Sequence, residues 1–212
     1  MRIIAGTLRS RTLQAPAGLA TRPTSDRLRE TLFNVLAPRI EGARFLDLYA
    51  GSGAVGMEAL SRGAAHVVFV EHAPAALLVL RANLVRLGLT AGFRIQTESV
   101  KAWLRRFDTG IGSGRKVGQR QERATAPVFD VVFLDPPYDA DKEYADTLSL
   151  LGGGAAGLLA PGALVIAEHG RRGGRKDLVC QRYGVLERTR MLEQGDAALS
   201  FYSTASSMAT PD

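Results

Sequence analysis

The sequence predicts an α/β fold in which helices cover a doubly wound, mostly parallel sheet, with a small basic hairpin ahead of it. Three observations lead there. Apolar runs of strand length recur at Phe45 to Ala50, Val67 to Val70, Phe93 to Gln96, Phe129 to Leu134 and Gly162 to Glu168. Helical spacing of apolar residues fills several of the gaps between them. The first run breaks into a glycine turn, and the fourth ends on an acid followed by two prolines.

With 212 residues the chain has room for one α/β domain with a full core and at most a small appendage. No run approaches the ~20 apolar residues of a membrane span. Met1 to Ser10 lacks the apolar centre of a secretion signal. The single cysteine, Cys180, excludes an intramolecular disulfide framework and a multi-cysteine zinc site. His66, His72 and His169 show no metal-ligand spacing, so no metal is expected. The expectation is a cytoplasmic monomer without membrane association.

The net charge of +6 is unevenly placed. Residues 1–39 hold seven arginines (Arg2, Arg9, Arg11, Arg22, Arg27, Arg29 and Arg39) against Asp26 and Glu30, a net +5. Arg2 to Ala5 and Thr12 to Gln14 can pair across a turn at Gly6 to Ser10, and Pro16, Gly18 and Pro23 mark an irregular link. From Ser25, a suitable N-cap, the residues Leu28, Thr31, Leu32, Val35 and Leu36 recur at helical spacing up to Pro38. A basic hairpin and an arginine-lined helix suit a grip on phosphates, and Arg2, Arg9, Arg11, Arg22, Arg27 and Arg29 are the candidate contacts. A solvated basic face is the competing reading.

The glycine turn follows the first strand. Gly51, Gly53 and Gly56 form G-x-G-x-x-G between that strand and an apolar helix, the arrangement in which α/β proteins hold nucleotide-like ligands. Asp47 lies four residues before the first glycine. A carboxylate there repels a pyrophosphate but suits a ligand that carries an ammonium and a sulfonium, which points to S-adenosylmethionine rather than a dinucleotide. Tyr49 and Ala50 belong to the same turn. Glu71 ends the second strand, where an acid can accept hydrogen bonds from both ribose hydroxyls, and His72 beside it is placed to line the adenine pocket.

A strongly apolar helix is expected from Ala73 to Leu87, with Gly88 as its terminator. After the third strand, Thr97, Glu98 and Ser99 sit where that strand end meets an adenine; one of the three is expected to contact the base, Ser99 among the candidate cofactor residues, and the spacing leaves open which. A short helix carrying Trp103 follows, at Val100 to Phe107. Residues 108–127 contain four glycines and few apolar residues, so a mobile insertion is expected.

The second chemical stretch is Asp135-Pro136-Pro137-Tyr138, at the end of the fourth strand. The prolines stiffen the exit. An exocyclic amine on a nucleobase is a poor nucleophile because its lone pair is delocalised into the ring. Two acceptors, the Asp135 carboxylate and the Pro136 carbonyl, can hold both its N–H bonds and favour a pyramidal nitrogen. The carboxylate also stabilises positive charge as a methyl group arrives. Tyr138 can stack on a base that has left its own stack. Beyond the fifth strand, Arg171 to Lys176 is a basic loop, and Val185 to Leu192 with Leu199 to Thr204 forms a terminal hairpin.

Four segments together carry a family resemblance: RPTSDRLRETLFNVL from Arg22, LDLYAGSGAVGMEALSRGA from Leu46, FVE from Phe69 and FDVVFLDPPY from Phe129. The chain resembles the bacterial 16S ribosomal RNA guanine-N2 methyltransferases that modify guanine 966. The resemblance implies a class I S-adenosylmethionine-dependent methyltransferase fold, Rossmann-like with a seven-stranded sheet. It implies S-adenosylmethionine as donor and 16S ribosomal RNA, in the small subunit or its assembly intermediates, as substrate. The expected organisation is a basic hairpin extension at 1–24, a methyltransferase domain at 25–205 and a tail at 206–212. By motif the resemblance makes Asp47, Gly51, Gly53 and Glu71 cofactor residues, and Asp135 to Tyr138 the catalytic turn. Two departures stand out: this family more often has phenylalanine at the Tyr138 position, and the insertion is long. The competing activities are amino-methylation of DNA adenine or of a protein glutamine. A non-catalytic RNA-binding protein needs neither Asp135 nor the intact glycine turn.

Overall fold

Five parallel strands carry the site, and their side chains alternate between two cores as a pleated sheet requires. The structure is a computed structural model and describes residues 1–15, 26–108, 127–137, 141–170 and 179–204. The strands are β1 (Arg44–Leu48), β2 (His66–Val70), β3 (Phe93–Gln96), β4 (Phe129–Leu134), β5 (Leu159–Gly170), β6 (Arg182–Tyr183), β7 (Leu186–Gln194) and β8 (Ala197–Thr204). They form one sheet in the order β3-β2-β1-β4-β5-β8-β7-β6. The pairings from β3 through β5 are parallel, and those involving β8, β7 and β6 are antiparallel. Among the described residues the sheet thus has eight strands against the seven expected, because the two-residue β6 joins its edge.

The helices are α1 (Asp26–Leu36), α2 (Ala54–Ser61), α3 (Pro74–Leu87), α4 (Val100–Arg105) and α5 (Asp141–Leu151). Phe45, Val67, Phe69, Val131, Phe133 and Ile166 face one core, together with apolar residues of α1, α2 and α3. Leu46, Leu48, Val68, Val70, Val132 and Leu134 face the other, with Trp103 and Leu104 of α4 and with Tyr144, Leu148 and Leu151 of α5. The expected boundaries at Phe93 to Gln96 and Phe129 to Leu134 coincide with β3 and β4. The long helix begins at Pro74, with Gly88 in the left-handed conformation as its C-cap. The 141–151 segment, absent from the sequence reading, is a helix. A 3-10 turn at Ala156–Leu158 leads into β5.

α1 buries Leu28, Leu32 and Leu36 as its spacing suggests, with the face turned toward Arg29 and Phe33 rather than Thr31 and Val35. Leu28, Arg29, Leu32, Phe33 and Leu36 are buried, whereas Thr31 and Val35 are half-buried at the border. The N-terminal hairpin forms through the bridge of Arg2 with Thr12, flanked by Ile3 N–H to Arg11 O (2.9 Å) and Leu13 N–H to Met1 O (3.0 Å). Its Ile3 and Leu13 are buried in the same core as α1.

The hairpin is held on α2 by two buried polar side chains. Glu58 accepts the N–H groups of Ile4 (2.7 Å) and Ala5 (3.0 Å) and binds the Arg62 guanidinium at 2.7 Å. The Ser61 hydroxyl accepts the Leu8 N–H and donates to Ala5 O. Gly6 passes so close to α2 that a Cβ would lie 1.8 Å from Ser61 O, and its φ of +83° suits only glycine.

Candidate active site

The strand order reverses between β1 and β4, because β2 and β3 lie to one side of β1 while β4 and β5 lie to the other. In doubly wound sheets the crevice at this reversal, beyond the carboxyl ends of the strands, is where ligands bind. The glycine turn leaves β1 there, and Asp135-Pro136 leaves β4 beside it.

Register explains the acids that meet at this point. Asp47 points to the same face of β1 as Phe45 and donates no strand side chain to the second core. Its Oδ2 accepts the Gly56 N–H at 2.9 Å, fixing the start of α2 to β1. Leu134 pairs with Ala167, so the next residues along, Asp135 and Glu168, stand side by side with the parity of Phe133 and Ile166. Asp47, Asp135 and Glu168 therefore share one face near the carboxyl ends of three adjacent strands. Asp47 and Glu168 are buried, and Asp135 is half-buried. Burial, ahead of the repulsion from Glu71, pushes the Asp47 carboxyl up to about 8 against the pull of the Gly56 bond. Burial first, then the Glu168 and Asp47 charges, push the Asp135 carboxyl well above the usual carboxylate range. Such a cluster favours a cation among its members.

The glycine turn is built by its backbone. Tyr49 takes a left-handed φ of +61°, and its hydroxyl meets Thr147 of α5 at 2.7 Å, which turns the ring toward that helix. Gly53 has φ +78°, and a Cβ there would fall 2.3 Å from Leu80 Cδ1. Ala50 N–H bonds Val70 O at 3.1 Å and ties the turn to β2. Glu71, nearly buried, is ringed by three N–H groups: Oε2 accepts from Gly51 (2.9 Å), and Oε1 accepts from His72 and Ala73 (2.7 Å each). Oε1 has both lone pairs in use, whereas Oε2 keeps one for a further donor such as a ribose hydroxyl. The set fits the expected donor: acids for its positive centre, a left-handed glycine turn and an acceptor beside it.

The outer residues divide. His72 is exposed, with Nδ1 3.8 Å from Glu71 Oε1. Ser99 caps α4, its hydroxyl accepting the Ala102 N–H at 3.3 Å, which leaves its own hydrogen to donate. Glu98 is paired with Arg106 at 2.7 Å. Pro136 is buried and Pro137 exposed, while Tyr138 lies outside the described residues. So do Ser25, Arg22, the insertion between 109 and 126, the basic loop at 171–176 and the tail.

Arg2, Arg9, Arg11 and Arg27 are exposed. Arg29 does not belong with the expected phosphate contacts. It is fully buried, and its guanidinium bonds the Arg2 carbonyl and Asp26 (3.0 Å) and lies 3.8 Å from Glu58. It braces the hairpin against α1 and α2 and has no face to offer RNA. Two residues of the site went unnamed in the sequence reading. Glu168 follows an apolar run in the sequence, but its place in the site comes from the register of β5 against β4. Asn83, buried in an apolar helix, gave no signal.

This sheet order, the turn at the reversal and the acid-proline exit define the class I methyltransferase fold. The Escherichia coli candidate methyltransferase YhhF superimposes with a TM-score of 0.72 at 31% identity, covering 96% of this chain and 97% of that one. The chain belongs to the family described as Conserved hypothetical protein 95, whose model matches residues 1–203. Among its relatives is ribosomal RNA small subunit methyltransferase D of Escherichia coli K12, 37% identical over 168 residues, which span 79% of this chain and 74% of the relative. Another is YlbH of Bacillus subtilis, a candidate rRNA methyltransferase, 36% identical over 171 residues covering 81% and 83%.

Proposed function

We propose that the protein transfers a methyl group from S-adenosylmethionine to the exocyclic N2 amine of a guanine in 16S ribosomal RNA, within the small subunit or an assembly intermediate. The placement of Asp135 carries this reading: an acid at the end of β4, at the sheet's reversal, next to the turn that suits the donor. The relationship to the small subunit methyltransferase D of Escherichia coli supports the substrate class.

When bound, S-adenosylmethionine supplies an electrophilic methyl group. Gly51, Gly53, Tyr49 and Ala50 shape the turn that receives it, and Glu71 offers Oε2 to the ribose. His72 and Ser99 flank the adenine side. Asp47 and Glu168 stand beside Asp135, and a cationic centre among them draws the Asp47 carboxyl toward its ionised form. On the RNA side, the Asp135 carboxylate and the Pro136 carbonyl accept the two N–H bonds of the guanine amine, so that its lone pair turns out of the ring. The Asp135 carboxylate stabilises the ammonium that develops and takes the departing proton. Pro137 stiffens this exit, and Tyr138 stacks on the flipped base. Arg2, Arg9, Arg11, Arg22 and Arg27 hold phosphates.

The test is transfer of label from S-adenosylmethionine to RNA, DNA and protein substrates, with the modified nucleoside identified by mass spectrometry. N2-methylguanosine in 16S RNA is the expected product. Label on DNA adenine or on a protein glutamine instead would overturn the assignment.

A further inference from the structure

The basic hairpin is fastened twice, once to each of the helices that flank the glycine turn. Its first strand hangs on α2 through Glu58 and Ser61. Its second strand hangs on α3, where Arg86 donates to the Thr12 hydroxyl at 3.3 Å and Asn83, one turn earlier, reaches Gln14.

Asn83 is fully buried on an otherwise apolar face of α3. Its Oδ1 accepts the Gln14 N–H at 2.8 Å. Its Nδ2 donates both hydrogens, to Gln14 O and to Ser52 O, each at 3.0 Å. Ser52 stands between Gly51 and Gly53. One amide thus joins the hairpin to the cofactor turn by three hydrogen bonds. The pattern requires one acceptor and two donors, an inventory that an amide has and a carboxylate lacks. A leucine would serve packing equally well and would avoid the cost of burying an amide. The bonds, then, are what the position needs.

We propose that Asn83 is a positioning residue for methyl transfer, holding the RNA-gripping hairpin in register with the turn that receives the methyl donor. This rests on the hairpin being the RNA grip. Without the Asn83 bonds, the hairpin keeps its attachment to α2, and each binding surface keeps its own residues. What changes is the placement of one surface relative to the other. A misplacement of ~1 Å between reacting groups costs about 100-fold in rate. The signature is therefore a loss of rate without a matching loss of affinity.

Two variants approach the same bonds from opposite sides. Asn83→Asp sets a second acceptor against two carbonyls. Gln14→Pro, at an exposed residue, deletes the N–H that Asn83 accepts and leaves α3 untouched. For both, the single-turnover rate is measured at saturating RNA and S-adenosylmethionine, beside the two dissociation constants and the melting temperature. Rates lowered about 10- to 100-fold, with each dissociation constant within about threefold of wild type, are expected. A rate that recovers fully at saturation, so that only affinity or melting temperature has fallen, would overturn the proposal. If Asn83→Asp does not fold, Gln14→Pro decides alone, and a wild-type rate there overturns it. RNA affinity of the Arg2, Arg9 and Arg11 triple alanine variant separates the underlying reading. If that affinity is unchanged, the hairpin is no RNA grip and the proposal falls with it.

Discussion

Glu71 and Asp135 are both acids at the carboxyl ends of parallel strands, only two strands apart, yet their surroundings are opposite. Three backbone N–H groups ring Glu71 at 2.7 to 2.9 Å. Asp135 has Glu168 at its side and Asp47 near it, and is pushed well above the usual carboxylate range. A carboxylate already paired with donors is a rigid, charged acceptor, suited to holding a ligand. A carboxyl crowded by other acids is stabilised in its ionised form when positive charge arrives, which is the demand that methylation of an amine makes. The same functional group at equivalent strand ends is thus divided into a binding group and a chemical group by its neighbours.

Substitutions can break this division. The largest effect is expected from Asp135→Ala, which removes both the acceptor and the charge. Loss of one electrostatic partner in a transition state costs about 10²–10³ in rate, and the alanine should lie at or beyond the upper end in a single-turnover assay. Glu71→Ala comes next. Losing a hydrogen bond to a charged group costs roughly 1.5–3 kcal/mol, so calorimetry should show S-adenosylmethionine affinity weakened by about 10- to 150-fold. Unchanged affinity in the folded variant would remove Glu71 from the ribose.

The hairpin arginines should give a smaller effect that depends on salt. Changing Arg2, Arg9 and Arg11 to Ala should flatten the salt dependence of RNA binding by about 0.7–0.9 in slope per lost contact, with cofactor affinity unchanged. A slope equal to wild type would make the hairpin a solvated basic face. A separate effect, on stability rather than on binding or rate, is that of Asp47. Its folded value of about 8 lies above the ordinary ~3.9 of an unfolded aspartate. Between those limits the folded state binds more protons, so stability is fullest below ~4 and declines as pH rises toward 8. Thermal unfolding of the ligand-free protein across this window should show a shallower decline in Asp47→Asn, whose amide oxygen can still accept the Gly56 N–H. Equal slopes would mean that Asp47 is not the titrating group.

Much of this was legible because it is local. The glycine turn, the Asp135-Pro136 exit, β3 and β4 follow from short apolar runs and turn residues. What stayed hidden depends on partners distant in sequence. α5 hides because its buried face includes Tyr144 and Thr147 among polar neighbours, which blurs the apolar period. β6 has two residues and exists only as an edge on β7. Arg29 looked like a phosphate ligand among arginines until Glu58, 29 positions later, placed it inside. Glu168 became part of the site only through the register of β5 against β4. The fold was readable from periodicity, whereas the division of labour among its acids required the register.

The most direct measurement pairs Asp135→Asn with Glu71→Ala in one experiment: single-turnover methyl transfer to small-subunit RNA at saturating cofactor, with both dissociation constants determined separately. Asparagine keeps the shape and one acceptor but loses the charge. A fall of ~10²–10³ in rate with nearly unchanged binding is expected for Asp135→Asn, whereas Glu71→Ala should lose cofactor affinity and recover its rate at saturation. A near wild-type rate for Asp135→Asn, or a loss of cofactor binding in its place, would contradict the assignment of the chemistry to Asp135.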